Sequence, residues 1–207
     1  MAACRPSAIC NRTEVNLLEL ANAYRTIASG ILTQPYVIRK IVRDSGEVIA
    51  DNGRKSSPVH VEGDALSLIQ EGLRGVVRMP SGTAHARDSR GFPIAVMGKT
   101  GTTNEFRDAL FVGSTYGPEG ITVAIRIGFD DNRSLGSGET GGRVALPVFK
   151  EIMLGVYGAK LVGPVPRFPV EMEQHINAFL KNNETDTTAT AGVIASPTKQ
   201  YGSLRVP

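Results

Sequence analysis

The chain is poor in the residues that hold metals and close disulfides. Its two cysteines, Cys4 and Cys10, both fall in the first ten residues, and its three histidines, His60, His85 and His175, are scattered. That arrangement matches no zinc-ligand spacing, so no metal and no cofactor is expected. The histidines are expected at the surface or in turns rather than as ligands or bases. No apolar run approaches the ~20 residues of a membrane helix. Met1–Thr13 contains arginine but lacks the apolar core of a secretory signal. The chain is therefore expected to carry no membrane span and no export signal of its own. Its net charge of +3 comes without a dense Lys/Arg block or an aromatic-interleaved basic stripe, so no nucleic-acid partner is expected.

What remains reads as ordinary globular protein. The chain has 207 residues, 41% of them hydrophobic and 21% charged, which suits one well-cored domain and is short for two. Apolar residues at Leu17, Leu20, Ala21, Tyr24, Ile27 and Ala28 form one helical stripe. Asn16 and Glu19 fit a capping box before it, and Gly30 offers a left-handed stop. A strand pair is expected over Tyr36–Ala50 around an Asp44-Ser45-Gly46 turn, then a loop over Asp51–Pro58. A second helix is expected over Asp64–Arg78, with Leu66, Ile69, Leu73 and Val76 on its buried face. Gly72 and Gly75 inside it imply a close neighbour, because each weakens a helix by about 1 kcal/mol.

Strands then dominate. One is expected from Phe92 into Lys99, a second over Ala109–Thr115, and a third where Ile121, Val123, Ile125, Ile127 and Phe129 alternate. A hairpin-sized turn joins the last two. Thr140-Gly141-Gly142 should open a helix over Arg143–Tyr157, with Pro147 tolerated in its first turn. Residues 171–181 could form a short helix, and 182–207 read as a disordered tail, as do 1–13.

The segment that carries chemistry is Gly98-Lys99-Thr100-Gly101-Thr102-Thr103-Asn104. A phosphate-binding loop needs a glycine five residues before its Gly-Lys-Thr glycine, and that position is Pro93. What precedes Gly98 is apolar rather than glycine-rich, so nucleotide binding is not expected. The other chemistry is a Lys-Thr-Gly strand in serine acyl-transferases. A cation beside a hydroxyl suits a substrate carboxylate, because charge-assisted hydrogen bonds are about twice as strong as neutral ones. A glycine lets substrate approach the backbone, and the next N–H can face an oxyanion.

The surroundings favour the second chemistry. This segment, with Arg107-Asp108-Ala109, Gly128–Gly136 and Gly138–Arg143, closely resembles the transpeptidase domain of bifunctional (class A) penicillin-binding proteins. So do Leu18-Glu19-Leu20-Ala21 and Ala28-Ser29-Gly30 upstream. The resemblance runs from about Glu14 to Pro169 in the family's order. Leu110 stands where the family usually carries tryptophan, which reads as a packing change.

The resemblance implies an α+β fold of the β-lactamase/transpeptidase type, an antiparallel sheet flanked by helices, with the N-terminal portion of the domain missing. Its domain-like part should span 14–170. It implies that Lys99, Thr100, Gly101, Thr102, Thr103 and Asn104 bind substrate, with the Thr102 N–H as an oxyanion donor. The partner would be a D-alanyl-D-alanine peptide stem or a β-lactam, at a periplasmic, membrane-anchored location. The family's Ser-x-x-Lys and Ser-x-Asn motifs should precede Lys99, and neither does. The one Ser-x-x-Lys, Ser196–Lys199, lies on the wrong side and contains a proline that opposes the helical turn it needs. No catalytic nucleophile or base is therefore expected in this chain, which is expected to be inactive alone and could pair with a complementary N-terminal fragment. Glu139–Gly142 is expected only to shape the start of the last helix.

Overall fold

The computed structural model describes residues 15–53, 55–61, 64–85 and 92–190, with side chains described as far as 182. Residues 1–13 with Cys4 and Cys10, and the Ser196–Lys199 tetrapeptide, lie outside the described residues. Two compact units result, one ending at Pro169 and one beginning at Val170.

Helix α1 (Leu17–Ser29) starts where its cap dictates. The Asn16 side chain accepts from the Glu19 N–H and the Glu19 carboxylate accepts from the Asn16 N–H, both at 2.9 Å. Two donors that the first turn would leave orphaned are thereby satisfied. The helix ends at Gly30, whose φ of 70° is the left-handed stop.

Strand β1 (Ile31–Thr33) follows at once and pairs antiparallel with β4 (Ser56–Pro58). The end of the loop expected over Asp51–Pro58 is thus a strand. Ser56-Ser57-Pro58 has no apolar alternation, so nothing local marks it; the pairing comes from the chain that leaves α1. Between them, β2 (Lys40–Val42) and β3 (Val48–Asp51) make the expected hairpin, turning at Gly46 with φ of 85°. The Arg43 N–H donates to the Glu47 carbonyl across its mouth at 2.8 Å.

Helix α2 (Ala65–Arg78) half-buries Leu66, Leu73 and Val76 of its expected apolar stripe, Val76 against the core, but its most deeply buried positions lie elsewhere. Gln70, Arg74 and Gly75 are its buried residues, while Leu68 and Ile69 stay 64% and 48% exposed. The reason is polar. Gln70 donates to the Ile27 carbonyl and Arg74 to the Val96 carbonyl, each at 2.7 Å. These two acceptors, at the end of α1 and just before the main sheet, need donors once enclosed. The close neighbour expected at the two glycines is found at Gly75, where the Met79 side chain would lie 3.3 Å from a Cβ, and not at Gly72, where among the described residues nothing lies within 4 Å.

The main sheet runs β5 (Met97–Thr102), β6 (Asp108–Ser114), β7 (Thr122–Gly128), all antiparallel. Its first strand begins at Met97, not at Phe92. Ile94 and Val96 are apolar because they sit in the core, not because they join the ladder. A π-type turn, Gly141–Ala145, leads into α3 (Leu146–Gly158), with Pro147 in the first turn. Helices α1 and α3 pack against β6 and β7, and α2 packs against β5. The core centres on Phe111 of β6 and Phe149 of α3, both fully buried and edge to face at 4.8 Å. A side chain at Gly113 would sit 2.6 Å from the Phe149 ring, so this glycine lets α3 approach the sheet. The fold is α+β, an antiparallel sheet flanked by helices, as expected.

In the second unit, α4 (Val170–Thr190) is longer than the helix expected over 171–181 and takes up the first part of the expected tail. Glu171 and Glu173 stand in its first turn, where the helix dipole favours negative charge. No proline or glycine interrupts the sequence before Gly192.

Candidate functional site

Among the described residues strand β5 is at the edge of its sheet, so one side of its backbone has no strand partner there. Side chains alternate along it. Thr100 and Thr102 share the face of their partners Phe111 and Ala109, the face α3 covers through Phe149. Lys99 and Gly101 fall on the other face. The Lys99 side chain is exposed and turns back along the strand, its ammonium donating to the Thr100 carbonyl at 2.9 Å. The strand carrying the Lys-Thr-Gly motif is thus an open edge with a cation lying along it.

The six residues singled out by sequence do not form one cluster. Thr100 shares a hydroxyl–hydroxyl hydrogen bond with Thr83 at 2.7 Å. The Thr102 hydroxyl accepts from the Gly141 N–H at 3.1 Å and so ties β5 to the turn before α3. Thr103 is beyond the strand. Its N–H donates to the Asp108 carbonyl at 3.0 Å, and its hydroxyl accepts from the Asp108 N–H at 2.7 Å. Asn104 follows, exposed, in a single turn, Asn104–Phe106, in which Glu105 and Phe106 take φ of 59° and 55°. Thr103 and Asn104 therefore close the β5–β6 connection, while Lys99 to Thr102 form the edge.

Gly141 is fitted against this edge. A Cβ there would collide with the carbonyl oxygens of Leu110 and Gly101, both backbone atoms with nowhere to retreat. Gly141→Ala should push the turn off β5, break the Thr102 bond and cost about 1–3 kcal/mol, the usual size of overpacking. Urea denaturation monitored by circular dichroism checks this, with Gly155→Ala as the control: a Cβ there meets nothing, and alanine inside α3 should stabilise by up to about 1 kcal/mol.

Thr83 is the residue that sequence reading did not single out for this site. Its signal was weak: a threonine in a turn of small residues, with no lysine at a useful offset. Beyond it opens a cleft of about 880 Å³, lined in part by Thr83, Thr140, Gly142 and Arg143. Lys99 is not among its lining residues. Among the described residues no cluster of His, Cys, Asp and Glu could hold a metal. Nor, among them, is any helix long and apolar enough to cross a membrane.

Residues 4–154 match the family model for the penicillin binding protein transpeptidase domain. The chain belongs to the penicillin-binding protein transpeptidase family. The match begins at residue 4, so family-like sequence extends into the stretch 1–13 that was expected to lie outside it. Penicillin-binding protein 1A of Aquifex aeolicus (strain VF5) is 38% identical over 142 residues, covering 68% of this chain and 18% of that protein. The Neisseria lactamica penicillin-binding protein 1A is 34% identical over 145 residues, 68% of this chain and 17% of that protein. This member of the family thus spans less than a fifth of those relatives' length.

Two solved structures share the fold. Penicillin-binding protein 1A from Haemophilus influenzae has a TM-score of 0.58 and 24% identity, covering 75% of this chain and 28% of that one. Penicillin-binding protein A from M. tuberculosis, solved as an imipenem acyl-enzyme complex, has a TM-score of 0.52 and 19% identity, covering 67% of this chain and 30% of that one.

Proposed function

We propose that this chain supplies the Lys-Thr-Gly wall of a D,D-transpeptidase acyl-transfer pocket. It would grip the terminal carboxylate of a D-alanyl-D-alanine peptide stem, or of a β-lactam, while the attacking serine comes from sequence outside these residues. The observation that carries this reading is the open edge of β5 with an exposed ammonium lying on it. In an antiparallel strand, N–H and C=O groups address alternate sides residue by residue. The Thr100 carbonyl meets the lysine on the open side, so the Thr102 N–H belongs to that side too. A cation and an N–H on one edge offer what acyl transfer needs there: an electrostatic hold on a carboxylate and a donor for a developing oxyanion. Gly101, without a side chain, leaves the edge approachable. The Thr102 hydroxyl serves a positioning role instead, since it holds Gly141.

Fluorescent penicillin on the purified chain tests this. The expected result is weak, reversible binding without covalent label, weakened about tenfold or more by Lys99→Ala. Tenfold is ~1.4 kcal/mol, at the low end of about 1.5–3 kcal/mol for hydrogen bonds to charged groups. Covalent labelling of this chain alone would show that it holds its own nucleophile. Equal binding by the variant would remove Lys99 from the site.

A second reading is a non-catalytic module that pairs with a complementary segment of the domain. The exposed apolar side of α2, Leu68 and Ile69, favours it, since such a face invites cover. Covalent label that appears only on adding a segment with Ser-x-x-Lys would be pairing that restores catalysis; pairing without label would leave the module non-catalytic.

A further inference from the structure

Among the described residues, the charged side chains of the cleft beyond Thr83 are two cations, Arg143 and Lys150. His85, Arg143 and Lys150 line it, and among the described residues no aspartate or glutamate does. Arg143 is 67% exposed, and its carboxylate neighbour Glu139 stands at 3.8 Å, the long limit of an ion pair. A guanidinium has five donors, so one distant oxygen leaves most of the fork available. Among the described residues no carboxylate pairs with Lys150, whose ammonium lies 5.8 Å from the centre of the Phe92 ring. His85 is exposed at the rim. Pro80, Leu146 and Pro147 supply an apolar wall. A concave space with an apolar wall and a few convergent donors of one sign is the usual form of a binding site for an anion with a carbon skeleton.

Its position relates it to β5. Thr83 lines the cleft and bonds Thr100, the residue after Lys99. Gly142, also in the lining, has its Cβ position 3.6 Å from the Thr100 methyl. A peptide advances at most ~3.3–3.6 Å per residue, so one gripped at Lys99 reaches the cleft within a few residues.

We infer that this cleft is a second anion subsite, which takes a side-chain carboxylate of the same peptide whose terminal carboxylate is held at Lys99. The inference rests on the transpeptidase reading above. It makes Arg143 and Lys150 specificity residues that favour acidic stems over amidated ones, by attraction between the carboxylate and the two cations with water partly excluded by the proline wall. Neither residue touches the reacting bond.

The test uses the full chain and two acetylated peptides, Glu-Lys-D-Ala-D-Ala and Gln-Lys-D-Ala-D-Ala, which differ by one carboxylate. Titration followed by amide chemical shifts gives both affinities. The acidic peptide should bind about fivefold tighter, the effect a partly exposed ion pair supplies. An Arg143→Gln, Lys150→Gln double variant should erase that preference and leave the neutral peptide's affinity unchanged. Lys99→Ala should weaken both peptides alike. A preference that survives the double variant, or no preference in the parent, overturns the inference. If neither peptide binds, the transpeptidase reading fails, and glutarate becomes the probe. Glutarate shifts at Thr83 and Gly142, lost in the double variant, would then mark an anion site that serves no stem, and their absence would remove the site altogether. Both of those outcomes overturn the assignment to the stem.

Discussion

Phe149→Ala is expected to destabilise the chain by about 3–5 kcal/mol, the range for emptying a fully buried aromatic position. The ring is completely enclosed. It lies edge to face with Phe111 at 4.8 Å and tilted against Phe92 at 6.3 Å. Its neighbours cannot fill the gap. Gly113 beneath it has no side chain to expand, and Phe111 is held by the β6 ladder. The cavity therefore persists, and its cost adds to the lost burial. Domains of this kind are stable by only about 5–15 kcal/mol, so the variant should unfold at much lower urea. Val148→Ala, one position earlier at a residue 40% exposed, is the control and should shift the midpoint little. Equal effects from the two would show that α3 does not lie on the sheet as described.

Arg74→Ala should cost about 3 kcal/mol for a different reason. Arg74 is only 7% exposed, and its guanidinium donates to the Val96 carbonyl and lies 4.6 Å over the Phe168 ring. A hydrogen bond to a charged donor contributes about 1.5–3 kcal/mol, and an enclosed carbonyl left without a partner costs a further 1–3 kcal/mol. Truncation incurs both and also loses the stacked ring contact. Arg74→Met separates the contributions, because it keeps much of the packing volume and removes the donors. It should recover part of the loss and no more. Because Val96 immediately precedes β5, Arg74→Ala should also speed hydrogen exchange at Met97 and Gly98 more than at β7. If stability falls while exchange in β5 and β7 rises equally, Arg74 is a general packing residue and not an anchor for the edge strand.

These two residues show where sequence reading succeeds and where it stops. Phe149 belongs to the helix expected over Arg143–Tyr157, and the structure places it on the side that faces the sheet. Arg74 gives no signal of its place. An arginine among leucines and valines reads as the solvent side of α2, and only the nearby Val96 carbonyl makes it an interior residue. The same failure explains why Ile69, part of the expected buried stripe, stays at the surface.

The candidate site divides in the same way. The Lys-Thr-Gly motif, its family and the strand that bears it were legible in residue types and spacing. Thr83 was not, nor was the turn-closing role of Thr103, because both depend on atoms brought together by the β5–β6 connection and the loop after α2. Sequence by itself determined what propagates along the chain: the cap at Asn16, the stop at Gly30, the alternation of β7, the proline at the start of α3 and the motif that marks the family. Only the tertiary structure decided which strand is the open edge, which side chains meet across it and which polar groups go inside. Local rules act through neighbours a few residues apart, whereas a buried carbonyl is satisfied by whatever donor the fold places beside it.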